Sequence, residues 1–335
     1  MYARIHSIVS YMPETELTNA EICQRFPEFT EAKILAKTGI RSRRISAPDV
    51  YASDLAVEAG RRFLSSQSVK PEEIDCLILC TQSPDHLLPS TATKVHGALG
   101  LRSGVATIDY MQGCSGYVHA LGLAKGLIET GQVANVLLIN ADTLSKHIHP
   151  LDKSTLSLFG DAATATFITG DAPEERIGPF VYGTDAAGRT QIAAYRGGMR
   201  RAPEGDLAAL PPEHQRAVET GTLYMNGPEV FRFTLAELPG LVQTLKERAG
   251  CTDADVDRYV FHQANGFMLS TIRQVCAIPE EKFTIALEDT GNTSSASIPL
   301  ALDAELRDGR ICAGQRTFLV GFGVGYSYAA AQVRF

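Results

Sequence analysis

Three residues in this chain have types and settings that suit chemistry. Cys114 stands in Gly113-Cys114-Ser115-Gly116, between an apolar run and a helical pattern. A thiol at a strand-to-helix turn meets unpaired N–H groups and the positive end of the helix dipole, which favour the thiolate. An ordinary thiol has a pKa of about 8.5, and such a position lowers it by a unit or more. The small neighbours Gly113 and Ser115 let a substrate approach, so Cys114 is a candidate nucleophile. His262 follows the apolar run Tyr259-Val260-Phe261, and Asn292 follows Gly291 in a Ser/Thr-rich loop. Each also has a plain reading: a buried structural cysteine, a satisfied strand-end histidine, a turn asparagine.

The stretch that must position Cys114 is residues 105–133. It predicts a strand over 105–109, a tight Gly113-Cys114 turn and a helix. Gly116, Ala120 and Ala124 recur every four positions beside Val118, Leu121, Leu127 and Ile128, the pattern of a buried helix that neighbours approach closely. Lys125 and Glu129 mark its wet end, and Gly131 is its stop. Elsewhere the patterning predicts helices over 19–37, 52–66 and 90–99, and strands over 74–80, 133–140 and 162–169. A basic turn, residues 38–44, separates the first two helices. Alternating strands and helices imply an α/β protein with a mixed or parallel sheet.

Residues 185–220 break this rhythm with four glycines, Pro211-Pro212 and the arginines 189, 196, 200 and 201. A loop this long is functional or mobile in most proteins, and a solvated flap is the commoner reading. After residue 220 the pattern resumes and echoes the first half. Residues 74–80 align with 256–262, an offset of 256 − 74 = 182 residues, which suggests two similar α/β halves. His262 then ends a strand of the second half, at the sheet edge where α/β proteins place ligands.

Composition narrows the field. The 335 residues suffice for one large or two ordinary domains. With 44% hydrophobic and 21% charged residues, the chain reads as an ordinary globular protein. A net charge of −7 argues against a nucleic-acid partner, and no apolar run is long enough for membrane insertion. The first residues read as a strand and loop rather than a signal peptide. Seven cysteines form no CxxC pair and read as reduced thiols of a cytoplasmic protein. His147 and His149 have no cysteine or carboxylate pair at ligand spacing, so no metal is expected.

Taken together, the motifs resemble the thiolase-fold condensing enzymes, and most closely β-ketoacyl-acyl-carrier-protein synthase III. The resemblance runs through KTGIRSRRI (37–45), MQGCSGYVHAL (111–121), FGDAATATFI (159–168), MNGPEVFRF (225–233), FHQAN (261–265), GNTSSASIP (291–299) and the terminal GFGVGYSYAAAQVRF (321–335). It implies a five-layered αβαβα fold of two similar halves, 1–175 carrying the cysteine and 176–335 carrying the histidine and asparagine. It also implies a homodimer and a catalytic set of Cys114, His262 and Asn292. Cys114 would take an acyl group from an acyl-CoA or acyl-carrier-protein donor. Malonyl on an acyl carrier protein would then lose carbon dioxide and attack the Cys114 thioester. His262 and Asn292 would donate to the enolate oxygen, and the backbone N–H groups of Cys114 and Val324 would form an oxyanion hole for the thioester. No cofactor is implied beyond coenzyme A or pantetheine thioesters as substrates.

The resemblance also assigns substrate contacts to Lys33, Lys37, Thr38, Leu88, Lys153, Gly227, Asn265 and Phe267, and carrier-protein docking to Arg232 and Arg273. Here the chain departs from the family pattern. Lysines 33 and 153 stand where a tryptophan and an arginine commonly hold the adenine of coenzyme A, and the chain has no Trp. Lys37 and Phe267 replace the usual arginines, Val324 a usual glycine, and Leu88 a common aromatic that closes the partner's acyl pocket. These changes suggest a specialised homologue in donor or carrier surface, or neutral drift at surface positions. The alternatives are a secondary-pathway homologue that condenses or transfers an acyl group to another acceptor, or a silent subunit of a heterodimer.

Overall fold

The computed structural model describes residues 1–200, 202–203 and 205–335. Its two large sheets follow the two halves of the chain. The first has the strand order Tyr2–Tyr11, Ala162–Ala172, Asn135–Asp142, Cys76–Cys80, Ala106–Tyr110. The last three strands run parallel, and the pairings that join the first two are antiparallel. The second sheet has the order Arg258–Phe261, Arg316–Gly323, Ser327–Arg334, Ile177–Thr184, with its first pair parallel.

Read inward from Tyr2–Tyr11 and from Ile177–Thr184, the two sheets repeat one plan. Cys76–Cys80 and Arg258–Phe261 occupy the same place, as the 182-residue offset suggested. Among the described residues the second sheet has no counterpart of Ala106–Tyr110; a parallel bridge between Tyr259 and Phe283 stands where that strand would pair.

The core divides by sheet face. One cluster joins Ile78, Val136 and Leu138 of the first sheet to Val260, Leu319 and Ala331 of the second, through the helices Gly116–Glu129 and Ser297–Arg307. The other face of the first sheet packs on Ala52–Ser66 and Thr91–Ala98. The other face of the second packs on Gly227–Ala249 and Gly266–Val275. The result is five layers, helix-sheet-helix-sheet-helix, the thiolase-like architecture.

Local signals explain where the elements end. The helix expected over 19–37 is two helices, Asn19–Arg25 and Glu31–Thr38, because Pro27 interrupts it and Thr18 and Thr30 each cap a new start. The strand expected over 105–109 is Ala106–Tyr110, and that expected over 133–140 runs to Asp142. The flap is not structureless. Ile192–Ala194 pairs with Leu223–Met225, and the helix Pro212–Thr220 brings His214 face to face with Tyr224, their ring centroids 3.9 Å apart. Arg201 lies outside the described residues.

The basic turn is structural. Arg41 forms a two-point pair with Asp289 at 2.8 and 2.6 Å, and Arg44 pairs with Glu16. Arg43 is fully buried; it donates to the carbonyls of Leu17 and Ser157 and to Asn19 Oδ1.

Candidate active site

Cys114 sits in the 3₁₀ turn Gly113–Ser115, directly before the helix Gly116–Glu129 and after the C-terminal end of Ala106–Tyr110. Gly113 has φ +55°, and a Cβ there would collide with the Gln82 side chain. The strand Arg316–Gly323 passes straight over this turn. A Cβ on Gly323 would lie 2.8 Å from Cys114 Cβ and 2.9 Å from Sγ, and one on Gly321 would lie 2.6 Å from Ser115 Cα. These two glycines admit the strand, and the residue after it, Val324, turns its backbone N–H to the Cys114 sulfur.

His262 and Asn292 reach the same place through one turn, residues 292–297. Asn292 Oδ1 accepts from Ser294 N at 3.0 Å, which leaves the side-chain NH₂ as the amide's donor. Its backbone is fixed on both sides: Asn292 N donates to Leu158 O at 2.9 Å, and Gly160 N donates to Asn292 O at 3.0 Å. His262 Nδ1 lies 2.7 Å from Ser297 Oγ, and its ring stands edge-on to Phe322. Ser294 Oγ lies 3.9 Å from Cys114 Sγ. One short segment thus touches all three predicted residues, each no more than 7% exposed.

Burial sets the charges. It pushes the Cys114 thiol up to about 11; hydrogen bonds from Ser294 and the Val324 N–H oppose the shift, and the nearby Asp142 adds to it. The thiolate expected from the helix terminus is therefore not the resting form. Desolvation outweighs the dipole, whose contribution is typically about 0.3–1 kcal/mol at an exposed terminus and up to about 2 kcal/mol when partly buried. Burial also drives His262 down to about 3, against a smaller contribution from the Ser294 backbone, so its ring is neutral.

Sequence reasoning missed Asp142. Its fully buried carboxylate accepts from Gln82 N at 2.7 Å, from Ser295 Oγ at 2.6 Å and from Ser295 N at 3.3 Å, tying three chain segments behind the site. Desolvation raises it to about 6. The available signal was an acid ending a long apolar strand. Ser294 and Ser297 carried no signal beyond a Ser-rich loop.

The entrance residues scatter in role. Asn265 Oδ1 caps the helix Gly266–Val275 by accepting from Met268 N at 2.8 Å. Gly227 opens the helix Gly227–Ala249. Phe267 is 58% exposed and leans on Phe231. Lys33 and Lys37 are exposed, whereas the Thr38 hydroxyl is buried and donates to Ile34 O at 2.7 Å. Lys153 is held by Glu28 at 2.8 Å, above the Phe29 ring. Arg232 pairs with Glu229 on an exposed face, while Arg273 is held by Ile278 O and Glu280. Leu88 is 87% exposed, and its chain neighbour Leu87 is 61% exposed. Among the described residues there is no group of three or more metal-ligating side chains.

Comparison with known proteins accords with this geometry. The family model described as 3-oxoacyl-[acyl-carrier-protein (ACP)] synthase III matches residues 108–186, and the model of its C-terminal part matches residues 246–335. A β-ketoacyl-[acyl-carrier-protein] synthase III of Caldanaerobacter subterraneus subsp. tengcongensis is 35% identical over 97% of this chain and 95% of its own. A solved 3-oxoacyl-(acyl-carrier-protein) synthase III superposes with a TM-score of 0.94 at 45% identity, covering 100% of both chains. A 3-oxoacyl-(acyl-carrier protein) synthase from Burkholderia xenovorans LB400 does so at 0.93 and 35% identity, over 100% of this chain and 94% of its own.

Proposed function

Since this chain belongs to the 3-oxoacyl-[acyl-carrier-protein] synthase III family, we propose that Cys114, His262 and Asn292 are its catalytic residues. The chain is an acyltransferase that forms carbon–carbon bonds, a condensing enzyme of the β-ketoacyl synthase III type. It carries the nucleophile in its first half, 1–175, and the enolate donors in its second, 176–335. The observation that carries the assignment is the single turn 292–297, which holds the Asn292 amide, the His262 ring and the Cys114 sulfur together.

The cycle has two halves. In the first, Cys114 sulfur attacks the carbonyl of an acyl thioester, the donor's C–S bond breaks, and the Cys114 proton ends on the departing thiol. The N–H groups of Cys114 and Val324 face the developing oxyanion. In the second, malonyl on an acyl carrier protein loses carbon dioxide, and the electron pair of that C–C bond forms an enolate. The enolate carbon attacks the Cys114 thioester, a new C–C bond forms, and the Cys114 thiolate leaves and takes up a proton.

His262 serves as a donor because it is neutral. In this reading the Ser297 hydroxyl, which accepts from Gln263 N at 3.3 Å, donates to Nδ1 at 2.7 Å, and the ring proton stands on Nε2. Nε2–H and the Asn292 NH₂ then meet the enolate oxygen. The substrates bring their own thioesters, and the chemistry calls for no cofactor. The partners are an acyl carrier protein, an acyl-CoA or acyl-carrier-protein donor and a second copy of the chain. The setting is the cytoplasm, and no helix among the described residues is long and apolar enough to cross a membrane.

The test separates the halves. Wild type incubated with an acyl-CoA should carry the acyl group on Cys114 and not on the exposed Cys312, by peptide mapping. His262→Ala and Asn292→Ala should still acylate while malonyl decarboxylation falls by about 10²–10³, the usual loss of one oxyanion donor. Acyl label on another cysteine, or either variant decarboxylating at the wild-type rate, would remove that residue from the mechanism.

A further inference from the structure

We propose that Ser294 is a further catalytic residue, its hydroxyl donating a hydrogen bond to the Cys114 sulfur whenever that sulfur carries charge. The inference rests on Cys114 being the nucleophile, which acyl labelling of the wild type tests separately.

Two observations carry it. The first is geometric: Ser294 Oγ stands 3.9 Å from Cys114 Sγ, within hydrogen-bond reach for sulfur, and 3.5 Å from Gln82 Oε1. In the resting thiol the S–H donates to Ser294 Oγ, and the serine proton turns to Gln82. When sulfur becomes a thiolate it can only accept, so the hydroxyl rotates about one bond and gives its proton to sulfur. The second is conformational. Ser294 has φ +51°, a left-handed conformation that a non-glycine residue adopts at a cost. The turn is held there from behind by Asp142, which takes both the N–H and the hydroxyl of Ser295, and from the side by Asn292 Oδ1 on Ser294 N. If only the backbone shape mattered, glycine would adopt it without steric strain. A serine kept in this shape, its hydroxyl on the nucleophile, is what a hydroxyl function requires.

The site needs such a donor. His262 is neutral and Asp142 is an acid that opposes a thiolate, and among the described residues no cation acts on the sulfur. Val324 N–H supplies one donor, and the same N–H is called on for the thioester oxygen once the acyl group is in place. Ser294 is the side-chain donor at the sulfur. It would act twice, as the thiolate attacks the donor thioester and as the Cys114–acyl bond breaks in condensation and the thiolate leaves.

The experiment compares Ser294→Gly and Ser294→Ala with wild type. Glycine removes the hydroxyl and relieves the backbone; alanine removes the hydroxyl and keeps the backbone cost. The pH dependence of iodoacetamide alkylation is followed by peptide mapping at Cys114, with the exposed Cys312 as internal reference, alongside single-turnover acylation from an acyl-CoA. Loss of a hydrogen bond to a charged atom should slow both reactions at Cys114 by about tenfold or more in both variants and move the alkylation profile to higher pH, with Cys312 unchanged. Ser294→Gly reacting at wild-type rates would overturn the inference, whether or not Ser294→Ala is slow, because a slow alanine variant alone would place the effect in the backbone.

Discussion

A neutral, buried His262 leaves a mark on stability that can be measured without any substrate. The native ring takes a proton only near pH 3, while an unfolded histidine does so near its ordinary value of 6.5. Between those pH values the unfolded chain holds more protons than the native one, so acid favours unfolding. Linkage makes the loss about 2 kcal/mol between pH 7 and pH 5, and a little over 1 kcal/mol more for each further unit toward pH 3. Asp142 works the other way. Its native carboxyl is raised from 3.8 to about 6, so it binds a proton that the unfolded chain does not, which stabilises the native state by about 1 kcal/mol at pH 5.

The two effects mask each other in wild type and separate in a difference. In His262→Gln the histidine contribution is gone and that of Asp142 remains. The unfolding free energy of wild type minus that of the variant should fall by about 2 kcal/mol from pH 7 to pH 5. Urea titrations at fixed protein concentration, fitted by linear extrapolation, resolve this change. The result is insensitive to the depth of the shift, because at pH 5 any native value at or below about 4 gives the same loss. A difference that stays flat over this range would mean that the native ring protonates as freely as the unfolded one. The reading of His262 as a neutral donor would then fail.

Two further outcomes follow from the entrance and the sheet edge. Glu28→Gln frees Lys153 and should raise the specificity constant for an acyl-CoA, by up to about fivefold, while that for the matching acyl-pantetheine stays put, since an exposed pair is worth under about 1 kcal/mol. Equal changes for both donors would show that Lys153 does not meet the nucleotide. Ala106–Tyr110 is an edge strand, paired with Cys76–Cys80 on one side only, and carries the 38% exposed Ile108, close in sequence to the exposed Met111, so sedimentation should give twice the chain mass, and Ile108→Asp should shift it toward one. A single-chain mass for wild type would set the dimer aside.

What the sequence made legible was local or carried by motif. The turn at Cys114 could be read because an apolar run gives way to a four-residue spacing of small residues across two glycines. The helix 52–66 was readable to the residue from its periodicity. The contacts that give the site its properties are not local. Asp142 meets Ser295 across 153 positions, Ser294 meets Cys114 across 180, and Glu28 meets Lys153 across 125. Periodicity reports which face of an element is apolar, and nothing in it says which distant serine will face a given thiol. The expectation of a thiolate went astray for the same reason. The helix terminus was visible in the sequence, and the strand Arg316–Gly323 that covers Cys114 and dries its surroundings was not.

That covering strand explains how the candidate catalytic groups can share one site. Brought together in water, a thiol and an imidazole could exchange a proton and rest as an ion pair. Here burial raises one group and lowers the other, so both rest uncharged. Charge then arises only during reaction: on the thioester oxygen, on the enolate oxygen, and on the sulfur as it attacks or leaves. On the proposed reading each of these positions faces fixed donors: backbone N–H groups of Cys114 and Val324, the His262 and Asn292 side chains, and the Ser294 hydroxyl. Donors already in place in a water-poor site stabilise a developing charge without reorganising at the moment it forms. A full cation beside Cys114 would also stabilise the resting thiolate, and so would lower the ground state along with the transition state. The turn 292–297 avoids that by offering dipoles alone, and burial, with a smaller contribution from Asp142, keeps the resting sulfur protonated until a substrate arrives.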